Sequence, residues 1–124
     1  MIKILIIDDE KPTLSMLSLF LGALGYEVLT GESEETALEV FRKERPSIVL
    51  TDIKMPGKDG LVALKQIKEI DTDTQVIDIT GHGDKNLASK AFDLGAVSFL
   101  NKRLNTDALI TALELAKKNL KADA

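Results

Sequence analysis

Short apolar runs alternate along the chain with segments whose apolar residues recur at helical spacing. The runs cover residues 2–7, 26–30, 47–51, 75–80 and 97–100. The first run is almost continuously apolar, which is typical of a strand covered on both faces. The second run is more polar and is therefore predicted to lie at the edge of a sheet. Each run predicts one β-strand.

The intervening segments have the spacing of amphipathic helices. The first, over residues 12–24, carries leucines on one predicted inner face: Leu14, Leu17, Leu21 and Leu24. The other four are each expected to begin at a residue type that caps helices: Ser33, Asp59, Asp84 and Asn105. Gly25 and Gly95 are predicted to end the first and fourth helices, and Ala91 and Phe92 are predicted to face inward from the fourth.

Strands that alternate with helices predict an α/β domain with a parallel sheet covered by helices on both faces. The 124 residues suit a single domain over residues 1–124, without a repeat or an internal linker. In open sheets of this class, ligands bind beyond the carboxyl ends of the strands. Functional residues are therefore expected at that edge.

Composition and charge exclude several classes of function. The net charge of -4 argues against nucleic-acid binding, which requires a basic surface. The chain has no cysteine and one histidine, so disulfides and an ordinary zinc site are not expected. No apolar stretch reaches the roughly 18 residues needed to span a membrane, and no signal peptide is expected before the first strand. A soluble, cytoplasmic protein is the prediction.

Polar residues stand at or just past the ends of the predicted strands. Asp8 and Asp9 follow the first, Asp52 the third, Thr80 ends the fourth, and Lys102 follows the fifth. Parallel strands present their carboxyl ends at one edge, so these side chains are predicted to converge there. Three carboxylates, a hydroxyl and an ammonium suit the binding of a divalent cation and a phosphoryl group.

The chemistry of this set favours magnesium, because hard cations prefer oxygen ligands. A carboxylate also acts as a nucleophile toward phosphorus, and Asp52 is the best candidate because it stands alone after the middle strand. Phosphoryl transfer depends mainly on alignment and on neutralising the charge of the phosphoryl oxygens. Lys102 and Thr80 are candidates for binding those oxygens.

Together these motifs resemble the receiver domain of bacterial two-component response regulators. The resemblance covers residues 4–120 and rests on four features: Asp8-Asp9, Asp52-Ile53-Lys54-Met55-Pro56-Gly57 followed by Asp59-Gly60, Thr80-Gly81, and Phe99 three residues before Lys102. It implies a flavodoxin-like, doubly wound five-stranded parallel sheet with strand order 2-1-3-4-5 and five helices. It also implies a switch in signal transduction, not an enzyme with an outside substrate.

The resemblance implies a role for each residue. Asp52 would take a phosphoryl group from a sensor histidine kinase or a histidine phosphotransfer protein and become a 4-aspartylphosphate, as in a phosphorelay. The implied ligands of Mg2+, for which Mn2+ could substitute, are Asp8, Asp9, Asp52 and the backbone carbonyl of Lys54. Thr80, Lys102 and Phe99 would bind or report the phosphoryl group. Lys54 and His82 would tune its hydrolysis.

The resemblance also implies partners. The surface around the fourth helix, fifth strand and fifth helix would change on phosphorylation and control a partner or an effector domain. Such an effector would be covalently attached outside this chain, and a homodimer is a further option. Direct contact of this domain with nucleic acid or membrane is not implied.

Two positions depart from the family pattern. Arg103 follows Lys102, where the family usually has a proline after a cis bond. A cis bond before a non-proline residue costs about 3–4 kcal/mol, so a trans bond is predicted. Asp78 stands in a strand that should be apolar, on the same face as Thr80. A buried unpaired carboxylate is costly and tends to remain protonated, so Asp78 is expected to be paired, to be hydrated, or to lower the stability of the fold.

Two alternatives remain open from the sequence. A pseudo-receiver would bind partners without phosphorylation, and Arg103 and Asp78 favour it, whereas the intact acidic set opposes it. A small phosphohydrolase of the haloacid-dehalogenase type would also use an aspartyl-phosphate, but its Asp-x-Asp pattern follows the first strand. This chain has Asp8-Asp9-Glu10 there instead.

Overall fold

A computed structural model of the protein describes residues 1–52, 60–80, 85–101 and 105–122. Within these ranges strands and helices alternate regularly. The strands are β1 (Lys3–Ile7), β2 (Glu27–Gly31), β3 (Ile48–Asp52), β4 (Gln75–Thr80) and β5 (Ser98–Asn101). The helices are α1 (Lys11–Ala23), α2 (Glu34–Glu44), α3 (Gly60–Ile70), α4 (Lys85–Asp93) and α5 (Thr106–Ala122). β2, β3 and β5 each end one residue later than predicted, so Asp52 is the last residue of its strand.

The strands form one parallel sheet with the order β2-β1-β3-β4-β5. This is the predicted doubly wound, flavodoxin-like order, and β2 lies at an edge as expected. The pairing register sets residues of neighbouring strands side by side near the carboxyl edge. One such row crosses the whole sheet and consists of Gly31, Ile7, Thr51, Asp78 and Phe99.

Each face of the sheet carries its own apolar core. On one face, Leu5, Val49 and Val76 pack with residues of α2, α3 and α4. On the other face, Ile6 and Leu50 pack with residues of α1 and α5. β1 and β3 are buried almost throughout because both faces are covered. The sheet is thereby packed between two helical layers. Its carboxyl edge carries residues predicted to be functional.

The end of β2 is in very close contact with α2. A Cβ atom added to Gly31 would lie 2.8 Å from both Cα and Cβ of Ala37. The backbone N–H of Asp8 donates to the Gly31 carbonyl oxygen at 3.1 Å. Gly31 therefore fixes two features together, the approach of α2 and the start of the acidic segment that follows β1.

Helix ends that the structure describes mostly follow the predicted signals, whereas the predicted caps Asp59 and Asp84 lie outside the described residues. Gly25 and Gly95 have positive φ values of 95° and 105° just beyond α1 and α4. At the start of α2, the Ser33 hydroxyl accepts a hydrogen bond from the Thr36 N–H at 3.2 Å. The end of α2 is unusual because Arg45, not glycine, adopts the left-handed conformation with φ 48°. Its guanidinium lies 5.9 Å from the centre of the Phe41 ring.

Two residues predicted to face inward are half exposed instead. Leu24 is 48% exposed because it caps α1 beyond the last helical turn, where the helical phase no longer applies. Phe92 is 50% exposed, although its neighbour Ala91 is fully buried. The apolar stripe of α4 is therefore narrower than the spacing indicated.

The carboxyl-terminal part of α5 contacts residues at the amino edge of the sheet. The Lys117 ammonium lies 5.7 Å from the centre of the Tyr26 ring, just before β2. The Asn119 amide donates to the buried Gln75 side-chain oxygen at 2.9 Å, at the start of β4. These contacts anchor the last helix far from the carboxyl edge. Among the described residues, no helix combines the length and apolarity required to cross a lipid bilayer.

Candidate functional site

Acidic residues meet at the carboxyl edge, at the ends of two adjacent strands. β1 pairs with β3 so that Ile7 lies beside Thr51, and the residues that follow each of them are Asp8 and Asp52. Asp8 is 3% exposed and Asp52 is 4% exposed, whereas Asp9 lies at the surface. The structure thus brings together the three carboxylates that the sequence placed at strand ends.

A fourth carboxylate joins them. Carboxylate oxygens of Asp8, Asp9, Glu10 and Asp52 all lie within 4.8 Å of one another. Every donor in this cluster is a charged oxygen, and no sulfur or imidazole takes part among the residues described. Such a donor set fits a hard divalent ion such as Mg2+ and is poorly suited to zinc or copper.

The segment after β1 is folded so that these carboxylates face one another. The Glu10 N–H donates to the Asp8 side chain at 2.9 Å. Glu10 itself has extended backbone angles, φ -98° and ψ 110°, and it is the N-cap of α1. The positive end of the helix dipole therefore adjoins the cluster and offsets part of its negative charge. Glu10 was missed by sequence reasoning, although its position directly after Asp8-Asp9 was a usable signal.

The remaining predicted site residues are only partly accounted for. Thr80 ends β4, next to the strand that carries Asp52, but its side chain lies outside the described residues. Lys54, His82, Lys102 and Arg103 also lie outside the described residues, so their predicted roles stay predictions. Phe99 lies in the middle of edge strand β5, is half-buried, and packs against the core beneath α3 and α4.

Asp78 is fully buried inside the sheet. Its exposure is 0%, and neither carboxylate oxygen has a hydrogen-bond partner among the described residues. Burial raises the pKa of Asp78 to about 7. The hydroxyl of Thr51, which lies beside it on β3, is likewise buried without a hydrogen-bond partner in the described part of the chain. Among the described residues Asp78 is therefore buried without a hydrogen-bond partner, and the raised pKa favours its protonated form.

A groove of about 450 Å³ lies between α4, β5 and α5. Its lining includes Phe92, Phe99, Leu100, Ala108, Thr111 and Leu115. Phe92 and Leu115 are 50% and 42% exposed, so the groove is an apolar surface open to solvent. Phe99 contributes to this groove and also to the core beneath α3 and α4, which connects the surface with the interior.

Comparisons of the sequence and of the structure with known proteins all find the same family. A family model described as the response regulator receiver domain matches residues 4–114. Sporulation initiation phosphotransferase F of Bacillus subtilis is 34% identical over 112 residues, which cover 90% of each protein. The C4-dicarboxylate transport transcriptional regulatory protein DctD of Pseudomonas aeruginosa is 39% identical, but the chain spans about a quarter of its length.

Solved structures show the same fold. A response regulator receiver domain protein from Clostridium thermocellum superimposes with a TM-score of 0.94 and 36% identity, and the match covers all of both chains. The similarity therefore extends over the sheet, both helical layers and the edge that carries the acidic cluster.

Proposed function

The chain belongs to the response regulator receiver domain family, and from this premise we propose that it is a phospho-acceptor switch in two-component signalling. Asp52 is the proposed acceptor. The observation that carries the proposal is the cluster of four carboxylates around the end of the central strand β3. A cluster of like charges is unfavourable without a bound cation, and phosphoryl transfer to a carboxylate needs such a cation.

Asp52 is proposed to act as the nucleophile. One of its oxygens attacks the phosphorus of a phosphohistidine on a sensor histidine kinase or a phosphotransfer protein. The P–N bond breaks as the new P–O bond forms, and the imidazole nitrogen recovers the electron pair and takes a proton. The name phosphotransferase, carried by one relative, supports transfer of this kind. The chain is proposed to be a switch and not an enzyme with an outside substrate.

Asp8, Asp9 and Asp52 are proposed to hold Mg2+, together with the backbone carbonyl of Lys54. The ion would neutralise charge on the phosphoryl oxygens. Burial of Asp8 and Asp52 in a rigid sheet edge fixes the direction of their oxygens before any ligand arrives. Asp9, which is exposed, leaves one side of the cluster open to water and to the incoming phosphoryl group.

The output is proposed to pass through β4 and β5. Thr80 and Lys102 would bind phosphoryl oxygens, and Phe99 would respond by changing its packing. Phe99 lies between the core and the groove of α4, β5 and α5, so a change in its rotamer alters that surface. A partner or an effector domain would read the change. Relatives named as transcriptional regulators, such as DctD, support an effector of that class.

The direct test is intact-mass measurement after incubation with acetyl phosphate and Mg2+. We expect the mass of one phosphoryl group on the unmodified protein and none on Asp52→Asn, which is matched in size. Chelation of the metal should abolish the adduct. A protein that never gains the mass would be a pseudo-receiver, and phosphorylation retained in Asp52→Asn would place the acceptor elsewhere.

Lys54 and His82 are proposed to tune the lifetime of the phosphoryl group. Each follows a site residue by two positions, Lys54 after Asp52 and His82 after Thr80. Replacing either by alanine should change the rate at which the adduct decays in the mass assay. The exposed Lys43 offers a control, since Lys43→Ala should leave the decay rate unchanged. Identical decay in all four proteins would remove this role.

A further inference from the structure

Asp78 occupies a distinctive position relative to the proposed acceptor. In the pairing register it lies between Thr51 and Phe99, the residue before Asp52 and the proposed reporter. Asp52 itself pairs with Ile79, so Asp78 is one row behind the site and its side chain belongs to the face covered by α3 and α4. The buried carboxylate of Asp78 thus lies on β4, between β3, which carries Asp52, and β5, which carries Phe99.

Among the described residues, the groups around Asp78 give its carboxylate no opposite charge. The inward residues of α3 and α4 on this face are apolar, such as Leu64, Ile67 and Ala91. The charged residues of the described parts of these helices are exposed or engaged elsewhere: Lys65, Glu69, Lys90 and Asp93 are exposed, and Lys68 donates to the carbonyls of Thr72 and Thr74. Across the strands it faces the neutral Thr51 and Phe99. Burial is the cause of its raised pKa.

Resting on the proposed function, we propose that Asp78 is a positioning residue whose protonation and the phosphorylation of Asp52 favour each other. The neutral side chain is compatible with the closed packing of β4 beneath α3 and α4. An ionised side chain requires water, so it favours opening of that packing and disturbs Phe99, its neighbour on β5, and the end of β4 at Thr80. It also repels the negative charge that phosphorylation adds to Asp52.

Linkage makes this coupling reciprocal. If an ionised Asp78 disfavours the phosphorylated state, then the phosphorylated state must hold the Asp78 proton more tightly. The chain would therefore respond to two inputs, the kinase and the pH of its surroundings. The response would be centred near neutral pH, where a small change in pH alters the protonated fraction most.

The first test is a direct titration of the Asp78 carboxyl carbon by NMR, in the free protein and then in excess Mg2+ with and without beryllofluoride, which mimics a phosphoryl group. We expect titration near neutral pH in the free protein. The mimic should raise the pKa by about one, the order of shift that a negative charge added one row away in the sheet produces at the effective dielectric of proteins. A carboxyl that titrates in the ordinary aspartate range, or that is unaffected by the mimic, would overturn the inference.

The second test compares the phosphorylated fraction of the unmodified protein, Asp78→Asn and Asp73→Asn across the neutral range with acetyl phosphate. Asparagine matches aspartate in size and cannot ionise. At acidic pH the ratio of phosphorylated to unphosphorylated protein should be the same for Asp78→Asn and the unmodified protein. Above neutrality this ratio should be about tenfold higher for the variant, the factor that a pKa shift of about one implies. Asp73 is exposed, so Asp73→Asn should follow the unmodified protein.

The outcomes separate the two proposals. No adduct on the unmodified protein at any pH would overturn the proposed function and this coupling together. An adduct whose pH profile is the same with Asp78→Asn would overturn the coupling alone. If the asparagine variant does not fold, Asp78→Val takes its place in the same assay.

Discussion

Asp78 makes the stability of the fold depend on pH in a direction opposite to most aspartates. Its pKa is raised from 3.8 to about 7 in the folded state. Between these values the folded protein holds a proton that the unfolded chain releases, so the free energy of unfolding falls as pH rises. The stabilisation is complete below the unfolded pKa and is lost once pH passes through about 7.

Replacing Asp78 by valine should therefore stabilise the protein, and more so at pH 8 than at pH 5. The shift of about three in pKa limits the part of this gain that comes from ionisation to about 4 kcal/mol at the higher pH. Denaturant unfolding of both proteins at the two pH values measures the difference. A valine variant that is less stable at pH 8 would show that the carboxylate has a partner it needs.

At Gly31, the close approach of Ala37 leaves no room for a side chain. Gly31→Ala should destabilise the fold by about 1–3 kcal/mol, because its Cβ would meet the backbone of α2 at Ala37 and force the helix outward. Gly22→Ala is the matched control, since no atom lies within 4 Å of the added Cβ and the residue is in the last turn of α1. The control should gain up to about 1 kcal/mol from helix propensity. Equal effects at both positions in thermal unfolding would refute the steric argument.

At the scale of elements, the end of α2 carries a strain that glycine would remove. Arg45 adopts a left-handed conformation, which costs a residue with a side chain about 1 kcal/mol. Both Arg45→Gly and Arg45→Ala lose the contact with the Phe41 ring, but only glycine relieves the strain. The glycine variant should thus be more stable than the alanine variant by about 1 kcal/mol. Comparable melting temperatures for the two would show that the conformation is not strained.

The elements themselves were largely predictable from the sequence. Strands β1 and β3 are buried on both faces, so their apolar runs are continuous and unambiguous. Boundaries were less certain, because helix phase does not specify where a helix stops. Leu24 was assigned inward for this reason and is half exposed, whereas Phe92 is half exposed because the apolar stripe of α4 is narrower than the spacing indicated. Among the described side chains of α4, Ala91 is fully buried, whereas its neighbours Lys90 and Phe92 are exposed.

The sequence predicted those members of the acidic site whose positions are set by the ends of strands. Asp8, Asp9 and Asp52 converge because parallel strands end at one edge. Glu10 was not foreseen as a member, because its inclusion depends on an extended N-cap and a hydrogen bond back to Asp8. Such local folding of a loop depends on tertiary contacts, here with Gly31, and not on periodicity.

For the whole molecule, the proposed metal site at the four carboxylates predicts that stability depends on a divalent ion. Their mutual repulsion destabilises the metal-free protein, whereas a ligand that binds only the folded state stabilises it. Asp9→Asn should therefore be more stable than the unmodified protein in a chelator and less stable in excess Mg2+. The gain of the unmodified protein should reach about 2.7 kcal/mol at a hundredfold excess over the dissociation constant.

Thermal unfolding of Asp9→Asn and of the unmodified protein, with and without Mg2+, tests whether the order of their stabilities reverses. Asp73→Asn removes the same charge from an exposed loop and should gain as much from Mg2+ as the unmodified protein does. If Asp9→Asn gained equally from Mg2+, Asp9 would not belong to the metal site.

The position of Tyr26 beside Lys117 determines which structural changes the intrinsic fluorescence of the protein can detect. Tyr26 is the sole tyrosine and the chain has no tryptophan, so intrinsic emission arises essentially from this ring. The ring lies at the amino edge of the sheet, under the end of α5, while the acidic cluster is at the opposite edge. Emission should follow the detachment of α5 during unfolding and remain nearly constant when a cation binds. A fluorophore introduced in the groove beside Phe99 would be needed to make signalling visible.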